Sequence, residues 1–381
     1  MQRPEGSLIS FFSNLSETEN GINLAQGIPG FAPPEELLNI LNSIIYSDAR
    51  LHQYAPGRGD PELIDLIISE FRKNSQLGRD NILITQGATE AINLVFFYLS
   101  RLIGSKFTVL SFDPPYESYT RLSEYYNLNF KYFDLNDDLS IDFIKLEKTV
   151  TELNVKLIVI GSPGNPLGKI LNEDELNRIN DLSRKYDIFV LFDAVYKDIY
   201  FYASKPAGFQ VGDNPNIFYV DSFSKMLSIT GWRIGYLIAD CVHMKEIFSI
   251  HDYTGLSAPY IFQCAVRDYL SENNFGRDYT EYLRNECKKS MRIIVKSLND
   301  AGLNVYAPDG GYFIWAKIPE CFQDGFEFAL ELFRKQKVAV VPGENFSPFK
   351  KDFIRINFAQ KTDIIFRAST ALQKFIYQGG E

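Results

Sequence analysis

Short unbroken apolar runs recur along the chain: ILIT (82–85), FTVLSF (107–112), KLIVIG (156–161), IFVLF (188–192), NIFYV (216–220) and IGYLIA (234–239). Such runs predict strands buried on both faces, since polar alternation is needed only where one face meets water. Segments with helical spacing lie between many of them. TEAINLVFFYLSRL (89–102) follows the first run. EDELNRINDLSRKY (173–186) carries Leu176, Ile179 and Leu182 at intervals of three among charged residues. The alternation predicts an α/β domain built on a mostly parallel sheet.

In such sheets ligands bind just beyond the carboxyl ends of the strands. The chain reads QGATEA after ILIT, DPPYESY after FTVLSF, SPGNPLG after KLIVIG, DAVY after IFVLF and DSFSK after NIFYV. Gly87, Ala88 and Thr89 open a helix, where exposed N–H groups and the helix dipole favour an anion. Tyr116 follows two prolines and offers a flat face. Asn165 offers an amide. Asp193 ends an apolar run, a costly position for a carboxylate without a cationic partner, and Tyr196 follows three residues later. Ser222 and Lys225 follow the next run. A lysine near core is a candidate to bind a carbonyl, because desolvation and neighbouring cations lower its pKa. Arg233 has the planar fork that suits a phosphate.

Each residue alone has an ordinary explanation as a cap, a turn, packing or a solvated charge. Together they describe a site for a flat, phosphorylated, cationic heteroaromatic aldehyde. Gly87, Ala88, Thr89, Ser222 and Arg233 would take the phosphate and Tyr116 a ring face. Asp193 would hold a protonated ring nitrogen, Asn165 and Tyr196 a phenolic oxygen, and Lys225 the aldehyde. Pyridoxal 5′-phosphate meets each requirement.

Bulk composition narrows the classes further. The length of 381 residues predicts two domains, or one large domain with a smaller one attached, and 45% apolar with 23% charged residues is ordinary for a packed core. The net charge of −9 argues against a general nucleic-acid surface. Neither CxxC nor HExxH occurs among the 4 cysteines and 3 histidines, so no metal site is expected. The apolar windows are too short for a membrane span, and no leader segment is evident, which predicts a cytoplasmic protein. No GxGxxG follows a strand, which disfavours a nicotinamide cofactor.

The ordered set NLAQGIPGFAPP (23–34), QYAPGRGDPEL (53–63), TQGATEA (85–91), DPPYESY (113–119), GNPLG (164–168), DAVY (193–196), SFSKMLSITGWRIGY (222–236), PDGGYFIW (308–315) and FIRINFA (353–359) resembles the class I/II aminotransferases of the fold-type I pyridoxal-phosphate enzymes. The resemblance spans nearly the whole chain. It implies a mostly parallel seven-stranded sheet sandwiched by helices, in a large domain at 40–284. A smaller discontinuous α+β domain would combine 1–39 with 285–381. It also implies that Arg355 and the backbone of Gly27 contact the substrate carboxylate, with Asn165 nearby. Tyr54 would reach the phosphate of a neighbouring subunit, which implies a homodimer with shared active sites. Ala194 and Leu167 depart from the family's usual acidic residue and threonine, and LIDLI (63–67) lacks a frequent arginine.

The implied reaction is transamination between an L-amino acid and a 2-oxo acid. HDYTGLSAP (251–259) lacks the arginine that some relatives bring to a distal carboxylate, and Phe11, Phe12 and Phe31 enrich the N-terminal segment in aromatics. Both features point to neutral donors such as methionine, aromatic amino acids or kynurenine, as in the methionine/kynurenine-type enzymes that the chain resembles. Aspartate transamination and a carbon–sulfur β-lyase use the same cofactor residues. An aminotransferase-like sensor domain would carry a basic winged-helix module, and this chain is acidic.

Overall fold

The computed structural model describes residues 3–71, 77–104, 106–202, 205, 207–209, 211–303 and 305–378. A short strand β1 (Ile22–Asn23) precedes seven that form the central sheet: β2 (Ile82–Thr85), β3 (Thr108–Asp113), β4 (Asn129–Asp134), β5 (Val155–Gly161), β6 (Phe189–Asp193), β7 (Ile217–Ser222) and β8 (Gly235–Ile238). All six apolar runs become strands, each within two residues of its expected bounds. The exception to the pattern is β4, NFKYFD, whose only fully buried residue is Phe133. It lies at the sheet edge, where a continuous apolar run is not required.

The strand order is β2-β8-β7-β6-β5-β3-β4. β8 runs antiparallel to both neighbours, and the other pairings are parallel. Neighbouring side chains in a strand go to opposite faces. Leu157 and Val159 therefore join the apolar cluster on one face, with Leu83, Phe218 and Leu237. Ile158 and Ile160 join the cluster on the other, with Ile84, Phe192 and Tyr236. That double burial is why the runs are unbroken.

Two consequences position the site. From β3 the chain passes to β4 on one side, while from β5 it passes to β6 on the other, which opens a crevice at their carboxyl ends. Because β8 is antiparallel, its first residue pairs with Ser222 and with Thr85, the last residues of β7 and β2. Arg233 is thereby brought to the same edge as the strand ends.

The smaller domain holds β9 (Phe313–Lys317), β10 (Val338–Ala339), β11 (Val341–Pro342) and β12 (Phe353–Asn357). β11, β12 and β9 form an antiparallel sheet, and β10 pairs with β1 in parallel. Its apolar cluster draws on Phe12, Leu24 and Phe31 as well as residues from Leu283 to Ile376. The N-terminal segment is thus packed with the C-terminal quarter of the chain. Helices Glu35–Ile44 and Arg277–Asp300 run continuously across the limits expected at 39/40 and 284/285. Among the described residues, no helix is long and apolar enough to cross a membrane.

Candidate active site

A cavity of about 330 Å³ opens at the carboxyl edge of the central sheet. Its lining includes Gly27, Ala88, Thr89, Tyr116, Asn165, Asp193, Tyr196, Ser222, Lys225, Arg233 and Arg355. Gly87 caps the helix Ala88–Ile103 behind that lining, with φ of +78°. A side chain there would place its Cβ 2.5 Å from an Arg233 guanidinium nitrogen. The position needs glycine for both its backbone and its space. Gly235 makes a similar close approach: a Cβ would lie 2.7 Å from the Ala88 nitrogen. Tyr54 is 80% exposed and lies outside the cavity of its own chain.

Lys225 sits on the short helix Phe223–Met226, whose N-cap is Ser222. Its Nζ donates to the Gly27 carbonyl at 2.6 Å. Desolvation, reinforced by the charges of Arg355 and Arg233, pushes the amine down to about 8, although Asp193 acts the other way. Packing therefore favours the neutral amine more than solvent would. Arg233 itself holds a left-handed backbone conformation (φ +58°), sparsely populated by non-glycine residues. Its guanidinium donates to the Thr230 and Gln86 carbonyls at 2.9 and 3.2 Å.

Asp193 is buried at the end of β6. Burial raises its carboxyl to about 6, against the opposing effect of a hydrogen bond from Tyr119. The Tyr119 hydroxyl donates to Oδ2 at 2.8 Å and the Val195 N–H to Oδ1 at 3.2 Å. This is a carboxylate with its hydrogen bonds in place and, among the described residues, no lysine or arginine paired to it. Burial also raises the Tyr196 phenol.

Arg355, on β12, is 1% exposed. One guanidinium nitrogen donates to Asn165 Oδ1 at 3.0 Å and the other to the Ala25 carbonyl. Desolvation pushes its pKa down to about 10. The rings of Phe313 and Phe346 lie 4.2 and 5.0 Å from the guanidinium carbon and hold it in place. Its Nε is buried without a partner, so donor capacity remains for an anion.

Sequence reasoning missed three residues. Tyr119 orients Asp193; its spacing of three from Tyr116 placed it near enough to find. Tyr312 donates to the Gly27 carbonyl at 3.2 Å and meets the Tyr196 ring edge-on at 5.0 Å. Glu117 lines the cavity and has no sequence signal beyond its place after Tyr116. One expectation needs correcting: Phe12 and Phe31 are buried in the smaller domain's core, and neither they nor Phe11 line the cavity. Helix Leu8–Thr18 contributes Ile9 and Ser10 instead.

The family model for aminotransferase class I and II matches residues 19–364. The chain belongs to that family. It is a pyridoxal-phosphate-dependent aminotransferase. A probable aspartate aminotransferase of Methanocaldococcus jannaschii is 30% identical over 95% of both chains. An aromatic-amino-acid aminotransferase of Thermococcus litoralis is 26% identical over 95% of this chain and 96% of its own. Aspartate aminotransferase of Thermus thermophilus superposes with a TM-score of 0.89 at 20% identity, covering 98% of this chain and 97% of that one. That last likeness shows the fold. The aminotransferase's cavity fits the cofactor of its family: a glycine cradle against Arg233, a buried carboxylate not paired with lysine or arginine, and a lysine with a depressed pKa converge on it.

Proposed function

We propose that this aminotransferase uses neutral L-amino acids, such as methionine, aromatic amino acids or kynurenine, as amino donors to a 2-oxo acid. One observation carries the reading. The cavity's cations are Lys225, Arg233 and Arg355, and each has a task in transamination of any amino acid. Among the described residues of this chain, none is left for a distal carboxylate. Residues 251–259 contribute none to the cavity of their own chain.

We assign the phosphate of the cofactor to Gly87, Ala88, Thr89, Ser222 and Arg233, and a ring face to Tyr116. Asp193 takes the ring nitrogen, Asn165 and Tyr196 the phenolic oxygen, and Lys225 the aldehyde. When bound, the cofactor supplies an electrophilic carbonyl and an electron-accepting ring. Arg355 and the Gly27 backbone hold the substrate α-carboxylate and fix the Cα–H bond relative to Lys225. The Lys225 amine, close to neutral in pKa, takes the proton from the substrate Cα. Asp193, hydrogen-bonded by Tyr119 and the Val195 N–H, would stabilise positive charge on the ring nitrogen of the bound cofactor. We further assign residues 40–284 to the large domain, 1–39 with 285–381 to the smaller one, and Tyr54 to the phosphate of a partner subunit in a cytoplasmic homodimer.

An aspartate donor is the competing reading, favoured by the name of the M. jannaschii relative. The two are separated by mixing cofactor-loaded protein with single amino acids and following the loss of the cofactor's visible absorption. Faster bleaching by methionine, phenylalanine or kynurenine supports neutral donors; bleaching dominated by aspartate overturns that reading.

A further inference from the structure

Among the described residues, the charged ones lining the cavity are Lys225, Arg233, Arg355, Asp193 and Glu117. The first four have tasks in the chemistry. Glu117 does not, yet it puts a carboxylate into the space that a substrate side chain must share. We propose that Glu117 determines side-chain selectivity: it accepts a hydrogen bond from a donor whose side chain ends in N–H, and it repels a second carboxylate. The inference rests on the neutral-donor reading and gives it a residue.

Glu117 opens the helix Glu117–Tyr125, directly after Tyr116, where the helix dipole favours a negative charge. The Ser7 hydroxyl lies 3.0 Å from both carboxylate oxygens. A serine has one proton to give, and an ionised carboxylate accepts about four hydrogen bonds, so acceptor capacity remains. Ser7 is the N-cap residue of Leu8–Thr18 but makes no side-chain cap, so its hydroxyl serves the glutamate rather than its own helix. Glu117 is half-buried in a cavity that also holds Arg355 and is one of the charges that raise the Arg355 pKa against desolvation. Its field therefore reaches the group that grips the α-carboxylate. A dicarboxylic amino acid bound there meets a like charge at its far end and no uncommitted cation. An amide of the same length presents two N–H donors to the same carboxylate.

L-Glutamine and L-glutamate differ only at that end, so the ratio of their kcat/KM values reads the effect directly. Wild type should prefer glutamine by about tenfold or more, the scale of a single like-charge contact in a partly desolvated site. Glu117→Gln should bring the ratio to within about threefold, mainly by improving glutamate. Ser7→Ala keeps the charge and should keep the preference. Calorimetry with glutarate and its monoamide on wild type gives the same comparison without turnover, and the monoamide should bind more tightly. A wild-type preference for glutamine that survives Glu117→Gln overturns the role of Glu117 while leaving the neutral-donor reading intact. A wild-type preference for glutamate or aspartate over neutral donors overturns both. Equal binding of glutarate and its monoamide counts against Glu117 even if the variant fails to fold.

Discussion

The Nζ of Lys225, just beyond the end of β7, donates to the carbonyl oxygen of Gly27 at 2.6 Å. The bond joins the central sheet to the N-terminal segment that packs with the smaller domain. The Tyr312 hydroxyl donates to the same oxygen at 3.2 Å, so Gly27 keeps a partner if the lysine turns away. The lysine's reactivity is therefore set by residues from three separate stretches of chain.

With its amine at about 8, Lys225 gains its neutral, nucleophilic form as pH rises through that value. The rate at which cofactor-free protein captures pyridoxal phosphate, followed by absorbance, should rise with a midpoint near pH 8 and then level off. Arg355→Gln removes a cation that depresses the amine, so it should move the midpoint upward. A capture rate still climbing beyond pH 10 in wild type would contradict the depressed pKa.

Lys225→Ala should retain the cofactor without a covalent bond and lose about 10²- to 10⁴-fold or more in turnover, the range for removing a positioned acid–base group. Reduction with borohydride followed by mass measurement checks the covalent part. Near-normal turnover would remove Lys225 from the mechanism.

Burial of Asp193 has a cost that should be measurable. Its pKa is raised from 3.8 in the unfolded chain to about 6 in the fold. The folded state thus binds the extra proton between those values, so stability falls as pH rises from 3.8 towards 6 and stays lower above it. At about 1.4 kcal/mol per pKa unit the effect is on the order of 3 kcal/mol. Cofactor-free Asp193→Asn should melt above wild type at pH 7, and the gap should close below pH 4. With the cofactor bound, the order should reverse. A variant that melts lower at pH 7 without cofactor would show that the carboxylate is better compensated than its burial implies.

Tyr119→Phe removes a hydrogen bond that holds Asp193 anionic. A bond to a charged acceptor contributes about 1.5–3 kcal/mol, so turnover should fall roughly 10- to 100-fold. The Asp193 pKa should rise further, which would move the acidic limb of the pH profile upward. Loss of activity with an unmoved acidic limb would assign Tyr119 a packing role only.

Much of this molecule is legible in one dimension. The runs ILIT and KLIVIG identify strands because double burial leaves few polar positions. The helix Glu173–Tyr186 matches its expected span, and its Asn172 cap with Glu175 explains the sharp start. β4 escapes because an edge strand keeps polar residues, and Phe12 misleads because an aromatic near the chain start reveals nothing about which cavity it faces.

The sequence by itself determined six strands of the central sheet and which chemistry follows most of them. Those properties are local, set by side-chain hydrophobicity and by the few residues after each run. Tertiary structure decided which of those ends share one edge. The antiparallel β8 pairs Gly235 with Thr85 and Ser222 and so brings Arg233 to that edge, and β12 carries Arg355 to Asn165 across 190 residues. It also decided the charge states, since the Lys225 amine and the Asp193 carboxyl leave their ordinary pKa values only when packing removes their water and brings distant charges close.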